Sequence, residues 1–212
     1  MNNGKWKMEN GKWILADIGN THYHIWDKGK IYDLKESKKF DGKIYYISVN
    51  ETKEKEFLNL NPKAVNLKNY VKFDTDYKNL GIDRIMASLS IKTGTVIDAG
   101  SAVTVDFMKN GRHLGGVIFP GIFAYKKAFV TISDKLNKNL IKPANFPSST
   151  EEALWCGSIG SIKCIVEKYN INPVYLTGGD GKYLSEFING IYIKDLVFRG
   201  MKKVIIENGE EK

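Results

Sequence analysis

The chain has 212 residues, 42% hydrophobic and 12% aromatic, which is enough for one globular domain or two small halves and excludes a disordered polypeptide. Its formal charge of +8 is spread, with lysines interleaved among Asp and Glu, so a solvated surface accounts for it better than a basic stripe for nucleic acid. Cys156 and Cys164 are too far apart for a C-x-x-C site, which argues against a zinc knuckle or disulfide framework and leaves reduced, core-facing thiols as the simpler expectation.

No apolar run approaches the roughly 20 residues that span a bilayer, and the polar opening MNNGKWKMENGK lacks the apolar core of a secretory signal. A soluble, cytoplasmic protein with no membrane partner is expected, with residues 1–12 as a flexible lead-in. Trp13 to Ala16 reads as a buried strand that stops at Asp17, Gly19, Asn20 and Thr21. Gly19 and Asn20 are expected to supply the positive φ of a hairpin turn. Backbone N–H groups of such a turn can cradle phosphate oxygens, with Thr21 adding a hydroxyl and the Asp17 carboxylate available to a hydrated magnesium ion. Taken alone, these residues more commonly shape an ordinary hairpin.

His24 to Trp26 continues as a second strand, Asp27 to Lys30 as a tight turn and Ile31 to Leu34 as a third strand, a β-meander. Lys43 to Val49 is a strong strand candidate, Glu51 to Leu60 a short helix and Asn69 to Phe73 a further strand. After a polar loop, Asp83 to Ile91 has helical spacing with Asp83 at its N-terminus. The positive field of the helix end is expected to keep that carboxylate ionised, and Arg84 beside it is a cation able to meet an anionic substrate group. A plain N-cap is the commoner role for such an Asp, and both roles can hold at once.

Thr95 to Asp98 is a fresh apolar strand ending in Asp98-Ala99-Gly100-Ser101, followed by the strand Ala102 to Phe107 and a turn at Lys109 to Arg112. This repeats the opening, Asp17 matching Asp98, Gly19 matching Gly100 and Gly29 matching Gly111. A duplicated unit implies two similar halves, 13–93 and 94–205, with their Asp-x-Gly hairpins converging on one cleft. Gly115 to Gly121 (GGVIFPG) either lets the backbone approach a ligand or marks a bulge where a strand meets the next helix. Tyr125 to Leu136 reads as a helix. Ser148, Ser149 and Thr150 open another, running to Tyr169, with an S/T-x-x-E cap in which Thr150 is either cap or ligand contact. Val174 to Leu176 delivers Thr177-Gly178-Gly179-Asp180, a glycine loop at a strand end where ligands commonly sit. Asp195 to Met201 precedes a final short helix, and 206–212 reads as a charged tail. His22, His24 and His113 lack partners at metal spacing, so they are not read as ligands.

The set D-I-G-N-T (Asp17 to Thr21), G-I-D-R (Gly81 to Arg84), D-A-G-S-A-V-T-V-D (Asp98 to Asp106), G-G-V-I-F-P-G, S-T-E-E-A (Ser149 to Ala153) and T-G-G (Thr177 to Gly179) resembles the type III pantothenate kinases. Each motif alone is weak, whereas all six in order from Ile14 to Met201 are specific. The resemblance implies an α/β fold of two duplicated ribonuclease-H-like halves of the actin and sugar-kinase superfamily, with a nucleotide cleft between them. It implies ATP-dependent phosphorylation of pantothenate to 4'-phosphopantothenate, the first step of coenzyme A biosynthesis, by a homodimer that shares its substrate pocket.

Residue by residue, the resemblance makes Asp17, Ile18, Gly19, Asn20 and Thr21, with His22, Tyr23 and His24 behind them, the first phosphate loop for ATP. Asp83 matches the catalytic base, with Tyr77, Gly81, Ile82, Arg84 and Thr150 around pantothenate. Asp98 matches the ligand of an activating potassium or ammonium ion, and Ser101, where the family usually has Thr, contacts ATP. Magnesium accompanies the nucleotide. Phosphoryl transfer needs positioning and charge neutralisation more than covalent help, so a single carboxylate suffices as base. Another small-molecule kinase of the superfamily, or a transcription accessory factor, are the alternatives, and no helix-turn-helix or aromatic-studded basic patch supports the latter.

Overall fold

The computed structural model describes residues 13–209, so the expected lead-in 1–12 and the last three residues of the expected tail lie outside the described residues. The chain divides into two compact units, one holding the described residues through Val71 and those from Met201 onward, the other Lys72–Gly200.

In the first unit, β1 (Trp13–Ile18), β2 (Tyr23–Asp27) and β3 (Lys30–Leu34) form the antiparallel meander, and β4 (Lys43–Ser48) and β5 (Val65–Asn66) add in parallel, giving the order β3-β2-β1-β4-β5. The β2–β3 turn takes left-handed backbone at Lys28 (φ 46°) and Gly29 (φ 84°), the geometry that matches strand twist in a two-residue hairpin. Helix α1 (Glu51–Leu60) begins where the Asn50 side chain accepts the Lys53 N–H at 3.0 Å. Its one fully buried side chain, Phe57, packs on the rings of Tyr23 and Tyr46. Their hydroxyls donate to Glu56 and Glu54, both at 2.8 Å, and burial followed by those carboxylates pushes both phenols up to about 12.

The second unit repeats this plan. Strands β6 (Gly94–Ala99), β7 (Ala102–Lys109) and β8 (Arg112–Pro120) form a meander, β9 (Val174–Thr177) is parallel to β6, and β10 (Ile191–Tyr192) is parallel to β9. The order β10-β9-β6-β7-β8 is the first sheet's order with each strand replaced by its counterpart. The correspondence reaches single residues. Asp17 is the fifth of six residues in β1 and Asp98 the fifth of six in β6, while Asn110 (φ 53°) and Gly111 (φ 85°) turn as Lys28 and Gly29 do. Two five-stranded mixed sheets of one topology are the two duplicated halves that the sequence repeat implies.

Helices α2 (Ile82–Leu89), α3 (Ile122–Ile132), α4 (Thr150–Trp155), α5 (Ser161–Tyr169) and α6 (Gly181–Leu184) lie in the second unit, and α7 (Leu196–Glu207) ends the described chain. The face of β6 and β7 bearing Ile97, Val103, Val105 and Phe107 forms a core with Trp155, Ile159 and Ile162. No helix among the described residues is long and apolar enough to cross a membrane.

Several local expectations change. Gly19 and Asn20 are not left-handed; the Gly19 N–H instead closes the turn on the His22 carbonyl at 3.0 Å. Asn69 to Phe73 is not a strand, because Asn66 caps a 3₁₀ turn over Leu67–Tyr70 by accepting the Lys68 N–H at 2.9 Å. Helix α3 starts and stops earlier than expected, Ser133 turning the chain into a separate 3₁₀ turn, Asp134–Leu136. The segment 150–169 stays helical but passes through a π-helical turn, Cys156–Gly160, where the Ser158 hydroxyl donates to the Leu154 carbonyl at 2.6 Å. Only one of the two thiols faces the core: Cys156 is half-buried against it, whereas Cys164 is exposed. The final helix begins at Leu196 and runs 12 residues, longer than expected.

Candidate active site

Helix α2 has Gly81 as its N-cap, so Asp83 is not the cap but the second helical residue. From there Oδ1 accepts the Arg84 N–H at 2.8 Å, satisfying one of the amides a helix start leaves open. A Cβ on Gly81 would sit 2.5 Å from that oxygen, so the turn needs glycine for the carboxylate to fold back. Burial raises the Asp83 pKa, and the opposing pull of the Arg84 amide and charge does not cancel it. Desolvation thus opposes the stabilisation of the ionised form expected from the helix end. A carboxylate held above its ordinary range is the stronger proton acceptor.

Arg84 is only 5% exposed. Its guanidinium grips Asp106 with two bonds, Nε to Oδ2 at 3.0 Å and Nη2 to Oδ1 at 2.7 Å, and lies 4.9 Å from the centre of the Tyr77 ring. Asp106 Oδ1 also receives His113 Nε2 at 2.8 Å, and His113 Nδ1 lies 2.7 Å from the Thr75 hydroxyl. Sequence reasoning passes over Asp106, His113 and Thr75 as individual site residues. The available signal was a carboxylate in the middle of the apolar strand AVTVDFM, since a buried charge requires a partner.

Asp98, near the end of β6, stands opposite Thr104 of β7 and Thr177 of β9. Burial first, then the charges of Asp83 and Asp106, push its carboxyl up to about 7. Gly178 (φ 83°) comes so close that a Cβ there would lie 2.5 Å from Asp98 Oδ1 and 2.4 Å from the Ala99 carbonyl oxygen. Asp83, Asp98 and Asp106 therefore act on one another electrostatically, with the Arg84 guanidinium paired to Asp106 and acting on Asp83. That surplus of negative charge and hard oxygen suits a cation. No group of three or more His, Cys, Asp or Glu able to hold a metal occurs among the described residues, so the remaining ligands of such an ion would be backbone, water or substrate oxygens.

The first hairpin is braced from α1: Lys53 Nζ donates to the Thr21 carbonyl at 2.7 Å and Asn50 to the Asn20 side chain at 3.4 Å. Tyr23 is buried in the sheet core, and His24 pairs with Asp33 across β2 and β3. In the second hairpin the Gly100 N–H donates to the Ala102 carbonyl at 2.9 Å, and Ser101 is exposed beside it. At the start of α4 it is Ser149 that caps, its hydroxyl oxygen accepting the Glu152 N–H at 3.2 Å, while Glu152 accepts the Ser148 N–H at 2.7 Å. Thr150 is thereby relieved of capping and stands exposed. The structure thus gathers Tyr77, Gly81, Asp83, Arg84 and Asp98 around one carboxylate-rich centre. Ile82 turns its side chain into the core.

The profile of the family described as type III pantothenate kinase matches residues 46–170. A type III pantothenate kinase of Helicobacter hepaticus is 40% identical over 91% of this chain and 98% of its own, and one of Helicobacter pylori strain HPAG1 is 44% identical over 92% of each. The crystal structure of a conserved Baf family protein from Campylobacter jejuni, described as a candidate transcriptional activator, is 41% identical and superposes with a TM-score of 0.81, covering 93% of this chain and 100% of that one. With a matching profile over more than half its length and relatives at this identity along nearly all of it, the chain belongs to the type III pantothenate kinase family.

Proposed function

We propose that the chain transfers the γ-phosphoryl group of ATP to the primary hydroxyl of pantothenate, with Asp83 as general base. The observation that carries this reading is the placement of Asp83 in the first turn of α2 beside a guanidinium fixed by Asp106, a setting in which burial raises its carboxyl. Asp83 takes the hydroxyl proton as the new O–P bond forms; the bond between the γ-phosphorus and its bridging oxygen breaks, and ADP leaves. A bound magnesium ion would neutralise phosphate charge, and Asp17 has the carboxylate oxygen such an ion takes, directly or through water. Asp98 would hold potassium or ammonium, consistent with its surplus negative surroundings.

Asp17 through Thr21, with His22, Tyr23 and His24 behind them, and Ser101 are assigned to ATP. Since the Gly19 and Gly100 amides are satisfied inside their turns, those glycines serve ATP by close approach and not by donation. Tyr77, Gly81, Arg84 and Thr150 are assigned to pantothenate, with Ile82 contributing backbone only. Strand β8 is a sheet edge bearing the exposed Leu114 and Ile118, and Phe123 at the start of α3 is 79% exposed. A second copy of the chain covering this apolar face is consistent with a homodimer. ATP as donor is consistent with a cytoplasmic location. The scattered +8 charge lends no support to a transcription role.

A coupled assay with purified protein, ATP, magnesium and pantothenate, run in potassium and again in sodium, tests the reading. ADP formation that requires pantothenate and rises with potassium supports it. Turnover with other acceptor alcohols but not pantothenate would reassign the substrate.

A further inference from the structure

The polar loop before α2 is tied to Arg84 by a chain of hydrogen bonds that the chemistry described above does not use. The Thr75 hydroxyl oxygen accepts the Tyr77 N–H at 3.0 Å, which leaves its own proton for His113 Nδ1 at 2.7 Å. Asp106 Oδ1 can only accept, so it is the Nε2–H of His113 that donates to it. The other side of Asp106 is filled by Arg84. The chain then closes on itself, because the Tyr77 ring lies over the Arg84 guanidinium. Phe73 and Tyr77 both pack on the imidazole, with ring centres 5.6 and 6.0 Å away. His113 is 1% exposed, and its own N–H donates to the Asp74 carbonyl at 2.9 Å.

We propose that Thr75 and His113 are positioning residues for acceptor specificity: by locking the Tyr77 loop to the Asp106–Arg84 pair, they hold the guanidinium in the orientation that receives the acceptor's carboxylate. The proposal rests on the pantothenate assignment above. A buried hydrogen-bonded network with every member satisfied specifies one arrangement, and this one presents Tyr77 and Arg84 as a unit, while the ion pairs of Arg112 with Asp74 and Asp76 hold the loop's outer side. The network thereby contributes to binding an anionic acceptor and leaves proton transfer at Asp83 alone.

The test compares Thr75→Val with Thr75→Ser in the full chain. The valine keeps the shape and removes the hydroxyl, whereas the serine keeps it. Expected for the valine is a KM for pantothenate raised about tenfold, with kcat and the KM for ATP within about twofold of the parent. The preference for pantothenate over its neutral primary amide should shrink with it, and serine should restore both. His113→Gln, whose amide can still donate to Asp106, should lose less pantothenate affinity than His113→Leu. A pantothenate KM unchanged in Thr75→Val, an equal fall in kcat, or failure of serine to rescue overturns the positioning role. The parent protein, assayed alongside, tests the kinase reading separately: no turnover of pantothenate there removes that reading and this one with it.

Discussion

Arg84 and Asp106 form a two-bond ion pair, Nη2 to Oδ1 at 2.7 Å and Nε to Oδ2 at 3.0 Å, with both side chains almost fully buried. The guanidinium next to the proposed base is therefore fixed before any ligand arrives. Removing one member leaves the other charged and buried, so Asp106→Ala should destabilise the protein by about 3–5 kcal/mol. Asp106→Asn, which retains an acceptor oxygen for one of the donors, should cost less. Chemical denaturation followed by circular dichroism gives the comparison. Equal midpoints for Asp106→Ala and the parent would show that the pair contributes nothing to the fold.

Asp83 is expected to set the acid limb of activity. A general base works only when deprotonated, and burial raises this carboxyl, so kcat/KM for pantothenate should rise with pH through a pKa above the ordinary carboxylate range. Asp83→Asn should lower kcat roughly 10²- to 10⁴-fold and abolish that limb. A folded Asp83→Asn protein with near-parent turnover would exclude the role.

How far these features could be read beforehand differs by kind. The duplication was legible because Asp17 and Asp98, and Gly29 and Gly111, recur in the same order, and strand and turn geometry follow local residue types. The three-carboxylate centre was only half legible. Asp83 and Asp98 sit in recognisable motifs, but Asp106 gains its meaning from a guanidinium 22 positions away and an imidazole seven away, a grouping set by the β7–β8 register. His113 reads as an isolated histidine in sequence, and no local pattern says that it bridges a strand to the Thr75 loop. The helix-end field at Asp83 was legible as well, while the burial that opposes it was not.

Asp98 links stability to pH and to cations. Its folded pKa, about 7, lies above the ordinary carboxylate value of 3.8. The folded state therefore holds this proton more tightly than the unfolded chain, and the advantage is complete below about pH 4 and lost as pH rises through about 7. The protein without ligands should accordingly melt lower at pH 8 than at pH 5.5 as far as this group is concerned. Potassium should restore melting temperature at pH 8 and have little effect at pH 5.5, with Asp98→Asn removing the difference. Scanning calorimetry in potassium against a bulky organic cation at equal ionic strength makes the measurement, and an identical response at both pH values would separate Asp98 from cation binding.

Gly116 gives the sharpest steric test of the Arg84–Asp106 pair. It lies opposite Asp106 in the β7–β8 register, and a Cβ there would stand 2.4 Å from Arg84 Nη2, 2.4 Å from Asp106 Oδ1 and 2.6 Å from the Val105 carbonyl oxygen. The charged groups cannot yield without breaking their own bonds, and the backbone oxygen is held in the sheet. Gly116→Ala should therefore destabilise by about 1–3 kcal/mol, the usual range for overpacking a close-packed site, and raise the KM for pantothenate as Arg84 is displaced. Gly111→Ala is the control, because a Cβ added there would meet nothing within 4 Å and the cost is confined to the left-handed turn. If denaturation midpoints fall for both variants while only Gly116→Ala loses pantothenate affinity, the effect belongs to the displaced guanidinium; loss of affinity in both would trace it to the β7–β8 hairpin as a whole.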